Sequence, residues 1–461
     1  MFKSKKNTNG LNIIIVGCGK VGLTLIEQLT KEGHDITVID RKPSVIQNVT
    51  NLYDVMGVVG NGASYSVQKD AGVDSADLIV AVTNSDELNL LCCTVAKRVG
   101  NCAAIARVRT PDYSNEAPYL KDELGLAMII NPDLEAAKEA ARILYLPTAL
   151  EVNSFAHGQA ELVKFVIPED NIINGITVAR LGSSITNDIL ICAIERNNEV
   201  YIPNGDFQLM AGDVISFVSD KNSARSFLKK IGFNTRQVKD VMIIGGSRFA
   251  YYLAKELLSM KIGVKIIEQN EETCQFFSTI LPDAIVINGD GTDPDILKEA
   301  GIQHAQAFVP LTGIDEENIM LTLYAKKVSS AKVITKINKI NFKEVVNSLD
   351  LGSVVYPKNI ASEAIIAYVR ARNNSKDSNI ETLYHMFDYK IEAIEFLVDK
   401  PSHVTDIPLK NLKLKNDVLI SFINRNGKII IPTGNDSIMV GDTVMIVTKQ
   451  TGFDNINDIA L

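Results

Sequence analysis

The sequence predicts an α/β protein: two doubly wound parallel-sheet domains, each followed by a small α/β module. Three observations predict it. Short apolar, β-branched runs alternate with helical spacings across residues 12–144. A glycine-rich turn joins the first run to the first helix. The pattern then recurs 228 or 229 residues later, pairing Gly17 with Gly245, Gly60 with Gly289, Thr83 with Thr312, Pro203 with Pro432 and Gly212 with Gly441. A repeat carrying two kinds of segment gives the order A-B-A-B.

Within the first A segment, residues 12–17 read as a buried parallel strand, because no polar alternation interrupts Ile13-Ile14-Ile15-Val16. Val21, Leu25 and Leu29 mark one helix over 20–32. Further strands are expected at 36–39, 55–59, 78–82, 104–106 and 128–130, and a helix at 133–144. The B segment differs. Residues 159–167 and 189–218 read as strands, with turns at 196–198 and 203–206.

Composition narrows the function. The 461 residues carry a net charge of −8, so no basic field draws in nucleic acid or anionic lipid. Lys3, Lys5 and Lys6 make only a short basic N-terminal segment, expected to be disordered. No apolar run approaches the ~18 residues of a membrane span, so a soluble protein is expected, with any membrane role exercised through a partner. The six cysteines form no Cys-x-x-Cys pair, which argues against a zinc site or disulfide framework and for a reducing cytoplasm. Cys92-Cys93 reads as core.

Gly17-Cys18-Gly19-Lys20-Val21-Gly22 sits between strand and helix, the context that makes this motif specific for a dinucleotide. Gly17 permits the turn, Gly19 lets a pyrophosphate approach the main chain, and Gly22 lets helix pack on strand. The unpaired N–H groups of the helix would meet the phosphate. Asp40 ends the second strand, where a carboxylate accepts from ribose hydroxyls and repels a 2′-phosphate. Thr83 and Asn84 end the fourth strand, at the crevice edge; Ser85 or Asp86 there also suits helix capping. Arg107 and Arg109 share one face after the fifth strand, where an arginine can pair with phosphate or simply be solvated. In the second copy the turn is Gly245-Gly246-Ser247-Arg248-Phe249-Ala250, with Glu268 and Lys336 standing where Asp40 and Arg107 stand. Ser247 is expected to crowd the phosphate approach, giving a weaker site or one with a different ligand.

Nothing in the sequence completes a catalytic constellation. The five histidines join no Ser/His/Asp or Cys/His set, and the B segment is short of acids and bases for nicotinamide chemistry. A nucleotide site without a catalytic partner reads as a sensor. The rival readings are a soluble NAD-dependent oxidoreductase and a scaffold that binds nothing.

Those residues also carry a resemblance. Residues 15–22, Val38-Ile39-Asp40, Gly60-Asn61-Gly62-Ala63, Ala81 to Glu87, Ile105 to Arg109 and Asn131-Pro132 resemble the TrkA family, the RCK-type regulatory subunits of potassium transporters. The resemblance implies RCK N-terminal domains at 11–135 and 239–355, and RCK C-terminal modules at 151–232 and 380–450. It implies NAD(H) binding through Gly17, Cys18, Gly19, Lys20, Val21 and Gly22 with Asp40, Thr83, Asn84 and Arg107, and it admits ATP or ADP. The matching second set is Gly245, Gly246, Ser247, Arg248, Phe249, Glu268, Thr312 and Lys336; Gly313 replaces Asn84. It further implies a non-enzymatic subunit at the inner face of the cell membrane, a homotetramer with eight nucleotide domains, and an integral-membrane TrkH/TrkG-like partner that moves potassium.

Overall fold

Strands that are apolar on both faces need cover on both sides, which a parallel sheet gains from crossover helices. The computed structural model shows this arrangement twice; it describes residues 10–461 except 187, 339–345, 347, 374–378 and 388. The basic N-terminal segment lies outside the described residues.

The first parallel sheet contains β1 (Asn12–Val16), β2 (Asp35–Asp40), β3 (Met56–Val59), β4 (Leu78–Ala81), β5 (Ala103–Arg107) and β6 (Met128–Ile130). Their order is β3-β2-β1-β4-β5-β6. The order reverses between β1 and β4, and in such sheets a crevice opens there, beyond the strands' carboxyl ends. The first antiparallel module has β7 (Glu151–Phe155), β8 (Ala160–Val166), β9 (Ile189–Arg196), β10 (Glu199–Tyr201) and β11 (Val214–Asp220) in the order β10-β9-β11-β8-β7. Sequence reading placed the first strand here at β8 and missed β7, a polar edge strand that buries only Val152 and Phe155.

The second parallel sheet is β12 (Asp240–Ile244), β13 (Gly263–Glu268), β14 (Ile285–Asn288), β15 (Ala307–Pro310), β16 (Lys332–Lys336) and β17 (Ser353–Val355), in the order β14-β13-β12-β15-β16-β17. The last module is β18 (Ile380–Met386), β19 (Ile391–Leu397), β20 (Val418–Arg425), β21 (Lys428–Ile430) and β22 (Thr443–Thr448), in the order β18-β19-β22-β20-β21. Six helices matter for the site: α1 (Lys20–Lys31), α2 (Asp86–Val99), α3 (Pro132–Tyr145), α4 (Arg248–Ser259), α5 (Asp315–Val328) and α6 (Pro357–Asn373).

The two repeats interleave. One core joins α3 and the first module to the second parallel sheet and α4, through Ala137, Ala141, Phe165, Phe217, Ile243 and Leu253. The other joins the first parallel sheet and α1 to α6 and the last module, through Ile15, Leu25, Ile365 and Phe396. Each module therefore packs on the other repeat's sheet. Small residues on α3 (Ala136, Ala137, Ala140, Ala141) let α4 come close. The two modules also meet face to face over Leu162, Cys192, Phe422 and Met445.

Candidate functional site: two facing nucleotide crevices

The turn after β1 has the shape a phosphate needs. Gly17 lies at φ +98°, and its N–H donates to the Ile39 carbonyl at 2.8 Å. A side chain there would be strained and would press on Thr83. At Gly22 a Cβ would stand 2.0 Å from the Gly17 carbonyl oxygen, so α1 could not seat. At Gly19, by contrast, nothing lies within 4 Å of where a Cβ would be. That glycine borders open space at the N-terminus of α1. The Val21 and Cys18 side chains are buried in the core, so only their main chain can serve a ligand. Lys20 is exposed.

Asp40 closes the other end. Its Oδ2 accepts from the Cys18 N–H and its Oδ1 from the Lys42 N–H, each at 3.0 Å. A carboxylate has about four lone-pair sites, so two remain for sugar hydroxyls.

The β4 edge is fixed by a residue that sequence reading left without a role. Asn89, fully buried on α2, accepts from the Thr83 N–H and hydroxyl at 2.8 and 2.7 Å. Its amide donates to the Arg107 carbonyl at 2.8 Å, tying β4 to β5. Ser85 does cap α2, accepting from the Leu88 N–H. Asp86 is buried and accepts from the N–H groups of Arg109 and Thr110 and from the Thr110 hydroxyl. Burial alone would raise its pKa; the hydrogen bonds from Thr110 and Arg109 outweigh that and hold it low. The signal for Asn89 was its recurrence: Asn318 likewise accepts from the Thr312 N–H and donates to the Lys336 carbonyl.

Both arginines reach Asn84. Arg107 bonds the Thr83 carbonyl and approaches Asn84 Oδ1 at 3.5 Å, and Arg109 bonds the Asn84 carbonyl at 3.1 Å. Burial, then the like charges of Arg109 and Arg248, pull Arg107 down to about 10. The Nε atoms of both arginines are buried without a partner. An anion in this crevice would relieve that cost.

The second crevice is built alike with one change. Gly245 sits at φ +97°, and its N–H donates to Ile267. Glu268 accepts from Gly246 N–H at 2.5 Å and Asn270 N–H at 2.7 Å, as Asp40 does in the first. Ser247 is the N-cap of α4: its hydroxyl accepts from the Ala250 N–H at 3.3 Å. It therefore occupies a first-turn amide as well as adding bulk. Phe249 is buried in the core and Arg248 is exposed. Lys336 donates to the Thr312 carbonyl at 3.0 Å, and burial lowers its pKa.

The crevices face each other. Arg248 repels Arg107, and Lys20 repels Lys336, across the gap, while Asp133 at the start of α3 attracts both buried cations. Tyr252, on α4, places its hydroxyl within the first crevice's wall: it donates to the Arg109 carbonyl at 2.8 Å and accepts from Asn131 at 3.0 Å. No local pattern announced Tyr252; its role exists only because the repeats interleave.

Two family models match the chain: TrkA-N domain at residues 13–132 and 241–357, and TrkA-C domain at 162–232 and 393–460. The chain belongs to the TrkA family. It is 31% identical, over 97% of its length and 100% of the relative's, to the "Trk system potassium uptake protein TrkA homolog" of Archaeoglobus fulgidus. It is 29% identical to the Trk system potassium uptake protein TrkA of Haemophilus influenzae, over 95% of each chain. Among solved structures, the GsuK channel bound to NAD aligns with a TM-score of 0.63 at 17% identity, covering 96% of this TrkA-family chain and 77% of that one. The GsuK RCK domain aligns equally well over 93% of its own length. These neighbours establish the fold. Among the described residues no helix is long and apolar enough to cross a membrane.

Proposed function

We propose that this TrkA-family chain is the regulatory subunit of a potassium uptake system, lying at the inner face of the cell membrane and performing no catalysis. It senses NAD(H) or another adenine nucleotide in the first crevice and gates an integral-membrane, TrkH/TrkG-like subunit. The observation that carries the nucleotide reading is the open space at Gly19 together with the Arg107 Nε, buried in the same crevice without a partner. Gly17–Gly22 would offer main-chain amides to the phosphates, Asp40 would hold the ribose, and Thr83, Asn84 and Arg107 would close the far side. A GsuK structure carrying NAD and another carrying ADP support the ligand class. The second crevice, with Ser247 on its amide, takes nucleotide less tightly. Eight such domains would be supplied by a homotetramer.

A nucleotide shifts such a molecule only by its differential affinity for two states. The facing crevices supply the means: a bound polyphosphate between Arg107 and Arg248 draws together cations that now repel.

Calorimetry with NADH, NAD, ATP and ADP tests the reading. At least one should bind the wild type, and Asp40→Ala should weaken it at least tenfold. Absence of binding by all four would sink it. Steady oxidation of NADH with a small carbonyl substrate would favour the oxidoreductase instead.

A further inference from the structure

A second cavity, of about 750 Å³, lies where α3, α6 and the two modules converge, away from both crevices. Its walls hold more acid than the chain neutralises. Glu139 (α3) and Glu363 (α6) are 8% and 9% exposed. Each lies in a Glu-Ala step of the helix that leaves a parallel sheet, but the two are not equivalent in the repeat: Pro132 pairs with Pro357, so Glu139 pairs with Ala364 and Glu363 with Lys138. Among the described residues no side chain donates a hydrogen bond to Glu139, and Glu363 has only the His385 N–H and, at 3.9 Å, the His385 ring. The Nδ1 atom of that ring is buried without a partner. Glu151 adds a third carboxyl, where the repeat-related position in the last module is Thr382. The acidity is therefore not a need of the fold.

The cavity also shows what it accepts. The Lys164 ammonium donates to Glu151 at 3.0 Å and lies 4.5 Å from the centre of the Phe387 ring. Tyr384 donates to the other Glu151 oxygen at 2.9 Å. Carboxylate on one side and aromatic face on the other is the chemistry of an alkylammonium site. A bare metal ion suits it poorly: among the described residues no three acidic, His or Cys side chains are placed to hold one. A space of this volume leaves an inner-sphere ion with few ligands in reach.

We propose that this cavity binds an aliphatic diammonium ion, one end between Glu139 and Glu363 and the other displacing the Lys164 ammonium from Glu151 and the Phe387 ring. The site lies at the seam between the repeats, so occupancy bears on how α3 and α6 cross. Burial, then the Glu151 charge, raises Glu139 to about 8, with Arg142 on the same helix acting against this; burial, then the Glu139 and Glu151 charges, raises Glu363 well above its ordinary value, with the His385 N–H acting against it. Binding a cation must therefore release protons, and affinity rises with pH toward 8.

The test is calorimetry on the full chain with 1,4-diaminobutane, in two buffers of different ionisation enthalpy, at pH 6.5 and 8. Expected are saturable binding, proton release, tighter binding at pH 8, and at least tenfold weakening in Glu363→Gln and in Glu151→Gln. 1-Aminobutane should bind at least tenfold more weakly. No binding of the diamine, equal affinity for the monoamine, or displacement by an equal concentration of magnesium or potassium ion would overturn the proposal. Retained affinity in the folded variants would do the same; if neither variant folds, the wild-type comparison of diamine, monoamine and inorganic ions decides. Nucleotide affinity is a separate reading, and Asp40→Ala should leave diamine binding intact.

Discussion

At the scale of single residues, the most consequential groups are those whose charge the fold suppresses. Burial, with the nearby Glu151 adding to it, holds Glu139 protonated to about pH 8, against an ordinary 4.5. Glu363 is raised in the same sense by burial and by Glu139. The native chain therefore binds more protons than the unfolded chain between those limits, and stability falls as pH rises through that window. His34, lowered by burial, opposes this only below its ordinary 6.5. The clean window is pH 6.5 to 8, where each such carboxyl costs about 1.4 kcal/mol per pH unit at most. Urea denaturation should show the loss, and Glu139→Gln should lessen it; a profile as steep in the variant as in the wild type would refute the assignment. Neither glutamate stood out in the sequence, because a helical Glu is ordinarily solvated and only the crossing of α3 and α6 buries these two. Gly17, Gly19, Gly22 and Asp40 were legible because their work is local: a tight turn, a bare main chain, a close contact, a strand end. Ser247 was half legible. Its bulk was foreseen, but its use as the cap of α4 was not.

At the scale of elements, strands and helices of the parallel sheets were readable because burial on both faces writes a continuous apolar run. What the sequence could not show is which element covers which. α1 carries the phosphate turn at its N-terminus, and Glu32 follows its last residue. There Arg370 of α6 bonds Glu32 at 2.5 Å and Glu392 of β19 at 3.1 Å through both Nη atoms. The guanidinium is 5% exposed and Glu392 2% exposed, so one buried fork joins the first crevice's helix to the last module. Among the described residues the other repeat has no such fork at the end of α4, where Met260 stands in place of Glu32. Removing one member of a buried ion network strands the others, at a cost of about 3–5 kcal/mol. Arg370→Met should lose that much stability by denaturant titration, and Arg370→Lys most of it, since an ammonium cannot replace a planar fork. If Arg370→Met loses less than about 1 kcal/mol, as an exposed pair would, the fork is not a structural joint.

At the scale of the molecule, the interleaved cores decide how it must unfold. Read along the chain, four segments suggest four separate folding units. In space there are two large cores, each holding a parallel sheet from one repeat and a module packed on it from the other. Neither repeat can open alone. Losing the first parallel sheet uncovers α6 and the last module, and losing that module uncovers Ile15 of the first sheet and Leu25 of α1. The facing modules bind the two cores to each other through Leu162, Cys192, Phe422 and Met445. Scanning calorimetry should therefore give a single transition in which the calorimetric and van't Hoff enthalpies agree, as for one cooperative unit. A nucleotide bound in the first crevice should raise that whole transition. At a free concentration of 100 times its Kd the added stability is about 2.7 kcal/mol. Independent units would respond otherwise: two transitions, only the one containing Gly17–Gly22 moving with nucleotide. That result would mean the cores are adjacent rather than shared, and a ligand in one crevice would then have no packing route to the rest of the chain.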